Sequence, residues 1–225
     1  MRGEWVVDLR SREVFARGHV PGALNFDLGG AFINYLAWML PWGTPVTLLG
    51  STPEQVEAAQ RELVRVGIDR PAAHAVGAPS DWLGSADDAA ETPRITFADL
   101  AHVVAEDPDA YILDTRQILE WEAGHVASAI FMPFYEVADR LAEIPRDRPV
   151  YVYCGSGYRA SAVASLLQHE GFANVVHVDD AFGNAGGAGL EVVAAPPTAR
   201  EPGWTWLASR AVVRSASERS ATRTP

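Results

Sequence analysis

The chain has 225 residues, enough for one large domain or two small ones, and its 48% apolar content is ample for a packed core. A formal charge of −11 argues against nucleic acid as a partner, and one cysteine rules out an intrachain disulfide framework and fits a reducing compartment. Every basic residue is arginine, as a GC-rich bacterial genome would produce.

In chain order, the first residues run directly into a strand-like segment, with neither a signal peptide nor a transit peptide pattern. Ala31 to Trp42 is apolar nearly all round. It predicts a buried helix, packed between two domains, and it is too short to span a bilayer. A cytoplasmic protein without a membrane partner is expected. Pro45 to Gly50 reads as a strand. Residues 79–93, rich in Ala, Asp, Ser, Gly and Pro, read as a linker.

Beyond it, Ala98 to Ala105 predicts a helix and Tyr111 to Leu113 a strand. Phe134 to Ile144 predicts a helix and Pro149 to Tyr153 a buried strand. Ala160 to His169 predicts a helix stopped by Gly171, and Asn174 to Val178 a strand. Strands alternating with helices imply an α/β fold with mainly parallel sheets flanked by helices. Residues 196–225 lose periodicity and gain Pro, Arg, Ser and Thr. They read as a disordered tail, although Trp204 and Trp206 are unusual in one.

The chain repeats itself. Val7-Asp8-Leu9-Arg10 is matched by Leu113-Asp114-Thr115-Arg116, and Phe15-Ala16-Arg17-Gly18-His19-Val20 by Trp121-Glu122-Ala123-Gly124-His125-Val126. The offset is constant, without a gap. At a slightly shorter offset, Pro45 to Gly50 is matched by Pro149 to Cys154. This gives a unit over residues 1–78, the linker over 79–93, and a second unit over 94–195.

The lone cysteine ends the second unit's strand, in Tyr153-Cys154-Gly155-Ser156-Gly157-Tyr158-Arg159. A thiol at a strand end, wrapped by a Gly-rich loop that opens a helix, is placed where backbone N–H groups and the helix dipole stabilise an anion. An apolar core position would not call for two glycines and an arginine in the next five residues. Cys154 is therefore the candidate nucleophile, with Gly155, Ser156, Gly157, Tyr158 and Arg159 as its loop. Arg159 is a cation suited to an anionic substrate group. Asp114 and His125 recur as Asp8 and His19 in a unit without a cysteine, so they read as structural. Arg116 shares that motif but is within possible reach of the pocket. His74, His102, His169 and His177 are scattered without ligand spacing, and no metal or cofactor is implied.

These motifs together resemble the rhodanese-homology domain in tandem. They are Asp-x-Arg, then Phe or Trp-x-x-Gly-His-Val, and in the second copy a strand ending in Cys154. The resemblance implies two rhodanese-like domains, the first without the catalytic cysteine and shortened at its N-terminus. It implies a sulfurtransferase that moves sulfane sulfur from thiosulfate or a persulfide, through a Cys154 persulfide, to a thiol, sulfite or cyanide acceptor. Four residues, Gly155 to Tyr158, separate the cysteine from the loop's last residue. Related phosphatases and arsenate reductases have five, so the count favours sulfur. The loop is also similar to that of mercaptopyruvate sulfurtransferases, but Arg159 stands where those have threonine. The inactive-then-active pair resembles the C-terminal part of bacterial metallo-β-lactamase–rhodanese fusions. That implies an alternative role as a persulfide-carrier subunit of a partner metallo-hydrolase.

Overall fold

A computed structural model describes residues 3–29 and 31–194. The expectations for residues 196–225, including Trp204 and Trp206, lie outside the described residues. Elements follow in the order β1 (Trp5–Asp8), α1 (Arg12–Arg17), β2 (Leu24–Asn25), α2 (Phe32–Met39), β3 (Val46–Gly50), α3 (Pro53–Val64) and β4 (Ala73–Val76). After α4 (Pro79–Leu83) come β5 (Arg94–Ile95), α5 (Phe97–Glu106), β6 (Tyr111–Asp114), α6 (Ile118–Ala123), β7 (His125–Val126) and β8 (Ala129–Phe131). β9 (Val150–Tyr153), α7 (Tyr158–His169), β10 (Val175–Val178) and β11 (Val192–Val193) complete the described chain.

Two parallel sheets result. The first has the order β2-β1-β3-β4 and the second β8-β6-β9-β10-β5, the same order with one strand added. Registers correspond as well, with Asp8 opposite Asn25 and Asp114 opposite Phe131. β7 and β11 form a separate antiparallel pair. Both sheets belong to one compact unit, and one apolar cluster runs from Val7, Leu24 and Leu36 to Phe134, Val163 and Leu166. Among the described residues, no helix is long and apolar enough to cross a membrane.

The repeated motif makes the same contacts in both halves. Arg10 Nε donates to Asp8 Oδ1 at 2.9 Å and Arg10 Nη2 to the Gly18 carbonyl at 2.9 Å. Arg116 Nε donates to Asp114 Oδ1 at 3.0 Å and Nη2 to the Gly124 carbonyl at 2.6 Å. His19 stacks on Phe15 and bonds its carbonyl; His125 does the same with Trp121. In each half a buried carboxylate fixes the chain leaving the strand, and the arginine secures the end of the following helix.

α7 carries the contact between the halves. Its residues Ala160 to Leu167 are all buried, because small Ala and Ser side chains allow packing on both sides. One side lies on β9 and β10 and the other on β2. Ser161 Oγ donates to Asn25 Oδ1 at 2.6 Å, and the Asn25 N–H donates to Ser165 Oγ at 2.9 Å. Hydroxyls in an otherwise apolar helix are thus satisfied by the other half.

Two local expectations change. Phe134 to Ile144 is not a continuous helix but two 3-10 turns, Val137–Asp139 and Leu141–Glu143. Arg140, at φ −119°, breaks the helical path between them and is tied to Glu136 and Glu143. Pro145 holds Ile144 extended. The helix over Ala31 to Trp42 forms, and Phe32, Leu36 and Met39 are buried. Trp38 and Trp42 instead remain 54% and 81% exposed. On its second-half side, Tyr35 meets Phe134 edge-on at 5.0 Å and Trp38 stacks on Phe134 at 5.6 Å.

Residues 79–93 are bound to both halves. Ala90 and His19 exchange backbone hydrogen bonds of 2.9 Å, and the Thr92 N–H donates to the Ala16 carbonyl. Gln168 on α7 accepts from the Thr92 hydroxyl and donates to the Glu91 carbonyl.

Candidate active site

Cys154 follows β9, and its position is set from beneath. The Tyr153 hydroxyl donates to Asp114 Oδ2 at 2.6 Å and accepts the Val126 N–H at 3.2 Å. The Tyr153 carbonyl accepts both the Thr115 N–H and its hydroxyl, at 3.0 and 2.8 Å. The thiol is 1% exposed. The Gly157 N–H donates to Cys154 Sγ at 3.2 Å. α7 begins at the next residue, so its N-terminal peptide dipoles also face the sulfur.

Gly157 is the tightest point of the loop. At φ +93° it lies in the left-handed region, and a Cβ there would stand 2.0 Å from Asp179 Oδ1 and 2.9 Å from Arg12 Nε. Its carbonyl accepts the Ser161 N–H at 2.9 Å and faces His177 Nε2, also at 2.9 Å. A carbonyl can only accept, so His177 presents Nε2–H. Burial pushes His177 down to about 4, which keeps the ring neutral at pH 7. Asp179 receives Arg12 Nε at 2.7 Å and Arg94 Nε at 2.9 Å. Burial alone would raise its pKa, but the two arginines and His177 bring the carboxyl below its usual range.

Arg159 does not stand free at the mouth. Its Nη1 and Nη2 donate to Glu120 Oε2 and Oε1 at 2.5 and 2.8 Å. Burial would lower the guanidinium, yet Glu120 and the nearby Cys154 outweigh it and the net shift is upward. Glu120 falls below the usual carboxylate range despite burial, held there by Arg159 and the Gln117 N–H. The Tyr158 hydroxyl donates to the Asp27 carbonyl of the first half. Tyr158 is raised by burial and by the Asp27 charge. Burial and Glu13 raise Asp27 in turn. Ser156 is exposed.

Arg116, grouped with the loop from sequence, is placed in its Asp-x-Arg motif. It is 3% exposed, engaged by Asp114 and Gly124, and its guanidinium lies 3.6 Å over the Phe182 ring. Those contacts hold it as part of the scaffold. The first half also closes its equivalent loop. Gln55 Oε1 accepts the Ser51 N–H at 2.8 Å, and Gln55 Nε2 donates to the Leu9 carbonyl at 2.7 Å. A Cβ on Gly50 would meet Val56 Cγ2 at 2.9 Å.

Sequence reasoning missed Glu120, Asp179, Arg12 and His177. The repeat held a signal for the first. At the offsets that align the copies, Glu120 faces Val14, Cys154 faces Gly50 and Arg159 faces Gln55. These three departures of the second copy from the first meet at one loop.

Residues 97–184 match the family model described as a rhodanese-like domain. The chain is 31% identical over 94 residues to a putative sulfur carrier protein, YrkF, of Bacillus subtilis, covering 42% of this chain and 51% of that protein. It is 34% identical over 88 residues to a tRNA uridine(34) hydroxylase of Pectobacterium carotovorum, covering 36% of this chain and 25% of that one. The chain therefore spans about half or less of the length of these curated relatives. A crystal structure of a thiosulfate sulfurtransferase from Pseudomonas aeruginosa aligns with a TM-score of 0.39 and 20% identity, covering 87% of this chain and 41% of that one.

Proposed function

On the premise that residues 97–184 form a rhodanese-like domain, we propose that the protein is a sulfurtransferase acting through Cys154. The thiolate attacks the outer sulfur of thiosulfate or of a persulfide. A bond forms between Sγ and that sulfur, the donor's S–S bond breaks, and sulfite or a thiolate leaves with the bonding pair. A thiol, sulfite or cyanide acceptor then attacks the transferred sulfur and returns the Cys154 thiolate. This is double-displacement covalent catalysis.

The observation that carries the reading is the donor set on Sγ. The Gly157 N–H and the start of α7 face a sulfur at a strand's carboxyl end, where negative charge is stabilised without a base. The Cys-less half, residues 1–78, is in this reading a second rhodanese-like domain, its own loop filled by Gln55. It contributes Arg12, Asn25 and Asp27 to the surroundings of the working loop.

Intact-mass spectra after incubation with thiosulfate, and separately with glutathione persulfide, test this for wild type and Cys154→Ser. The expected result is a one-sulfur adduct on wild type alone, removed by cyanide. A folded wild type without adduct from either donor overturns the proposal. An adduct that cyanide, sulfite and thiols all fail to remove refutes turnover.

A further inference from the structure

Two guanidinium groups lie against the Cys154 loop, and each is already matched by carboxylates. Arg12 is held by Asp179 at 2.7 Å and Glu13 at 3.3 Å. Arg159 is held by both oxygens of Glu120. The Arg159–Glu120 pair rests directly on the loop backbone. A Cβ on Gly155 would stand 2.9 Å from Arg159 Nη2 and 3.2 Å from Glu120 Oε1. Arg159 is positioned by Glu120 in a fork-to-fork geometry, which fixes both its direction and its charge balance. On the first-half side the Asp27 backbone carbonyl receives the Tyr158 hydroxyl, and the Asp27 carboxyl acts electrostatically on both Tyr158 and Arg12. A dianion approaching Sγ would thus meet cations already matched by carboxylates, and would have to displace Glu120 to reach Arg159.

We propose that Glu120 is a positioning residue that sets donor choice: by holding Arg159 neutralised over the loop, it makes Cys154 accept sulfur from persulfides, R–S–SH, in preference to dianionic thiosulfate. The inference rests on Cys154 being the sulfur-accepting nucleophile. The favoured step is Cys154–S⁻ plus R–S–SH giving Cys154–S–SH plus R–S⁻. The Sγ–S bond forms, the donor's S–S bond breaks, the proton stays on the transferred sulfur, and the electron pair leaves on the thiolate. With thiosulfate the leaving group is sulfite, which carries two negative charges past Glu120.

The test is single-turnover loading of Cys154, followed by intact mass, with thiosulfate and with cysteine persulfide, whose carboxylate is offset by its own ammonium. Wild type is compared with Glu120→Gln and with the double variant Glu120→Gln/Arg159→Gln. Glu120→Gln is expected to raise the thiosulfate rate by roughly tenfold, the effect of exposing one charge in a partly buried site. Its persulfide rate should change by less than about threefold. The double variant should lose the gain, since Arg159 is the group released. A gain in rate cannot come from misfolding, and wild type alone already bears on the idea: equal loading from the two donors overturns it. An unchanged donor ratio in folded Glu120→Gln, or a gain that survives in the double variant, also overturns it. Loading by neither donor removes the sulfur-transfer reading itself, a result distinct from loading by both alike.

Discussion

Replacing Gly157 by alanine tests the loop architecture most directly. The added methyl is strained twice. Backbone at φ +93° disfavours a side chain by about 1–2 kcal/mol. The new Cβ would also lie 2.0 Å from Asp179 Oδ1, inside any real contact distance, and 2.9 Å from Arg12 Nε. Asp179 cannot simply swing away, because Arg12 and Arg94 both hold it and its side chain is nearly buried. Overpacking of this kind costs a further 1–3 kcal/mol or so. Gly157→Ala should therefore lose about 2–5 kcal/mol in urea unfolding. Sulfur loading should fall by roughly a hundredfold or more, because the peptide whose N–H meets Sγ must move. Gly183→Ala is the control: nothing lies within 4 Å of its Cβ position, and its stability should stay within about 0.5 kcal/mol of wild type. A Gly157→Ala protein as stable as the control and loading at the wild-type rate would refute the account of this loop.

Three further outcomes follow from the same contacts. His177 is buried neutral with its pKa lowered to about 4, so below its unfolded value near 6.5 the unfolded chain binds the extra proton. Stability should fall as pH drops from about 6.5 towards 4, by up to about 3 kcal/mol from this group. Urea unfolding at pH 7 and pH 5 should show a smaller drop in His177→Gln; an equal drop would contradict the assignment. Arg12→Gln removes one of the two cations on Asp179, and because Arg12 is part-exposed the loss should be about 1–2 kcal/mol, with slower sulfur loading. Unfolding and single-turnover loading measured together would reveal a silent substitution, which would argue against a role for the first half in supporting the loop. Gly50→Cys in a Cys154→Ser background should acquire no sulfur adduct, since its side chain would collide with Val56 and the loop is filled by Gln55. A one-sulfur adduct there would show that a thiol alone suffices.

The interface between the halves shows how the half without a cysteine bears on the Cys154 loop of the other. Asp179 takes a first-half arginine on Oδ1 and presses that same oxygen against Gly157, while its Oδ2 takes Arg94. Tyr158 is held by the Asp27 carbonyl, and Ser161, one turn into α7, by Asn25. The loop and the first turn of its helix are therefore fastened partly from outside the sheet that bears the cysteine.

Much of this was legible in the residues. Apolar runs marked β6, β9 and β10, and Gly171 marked the end of the helix after the loop. The spacing of Cys154, Gly155 and Gly157 marked a strand end opening into a helix N-terminus. Such features depend on neighbours within a few positions, where backbone propensity and period act. The 3-10 turns after Phe134 escaped because a helical pattern there yields to prolines at both ends and to burial of Val137 and Ile144 at separate points. Arg159 reads in sequence as a cation suited to an anionic substrate group, because its partner, Glu120, lies 39 residues away, and Arg12 gives no local signal because Asp179 lies 167 residues away. The residue order was enough to pick out Cys154 as the candidate nucleophile and to describe the backbone around it, since those are set by covalent neighbours. Which charges near that sulfur are compensated is visible only in the folded chain, because compensation depends on distance in space, and folding alone brings Glu120, Arg12 and Asp179 to one loop.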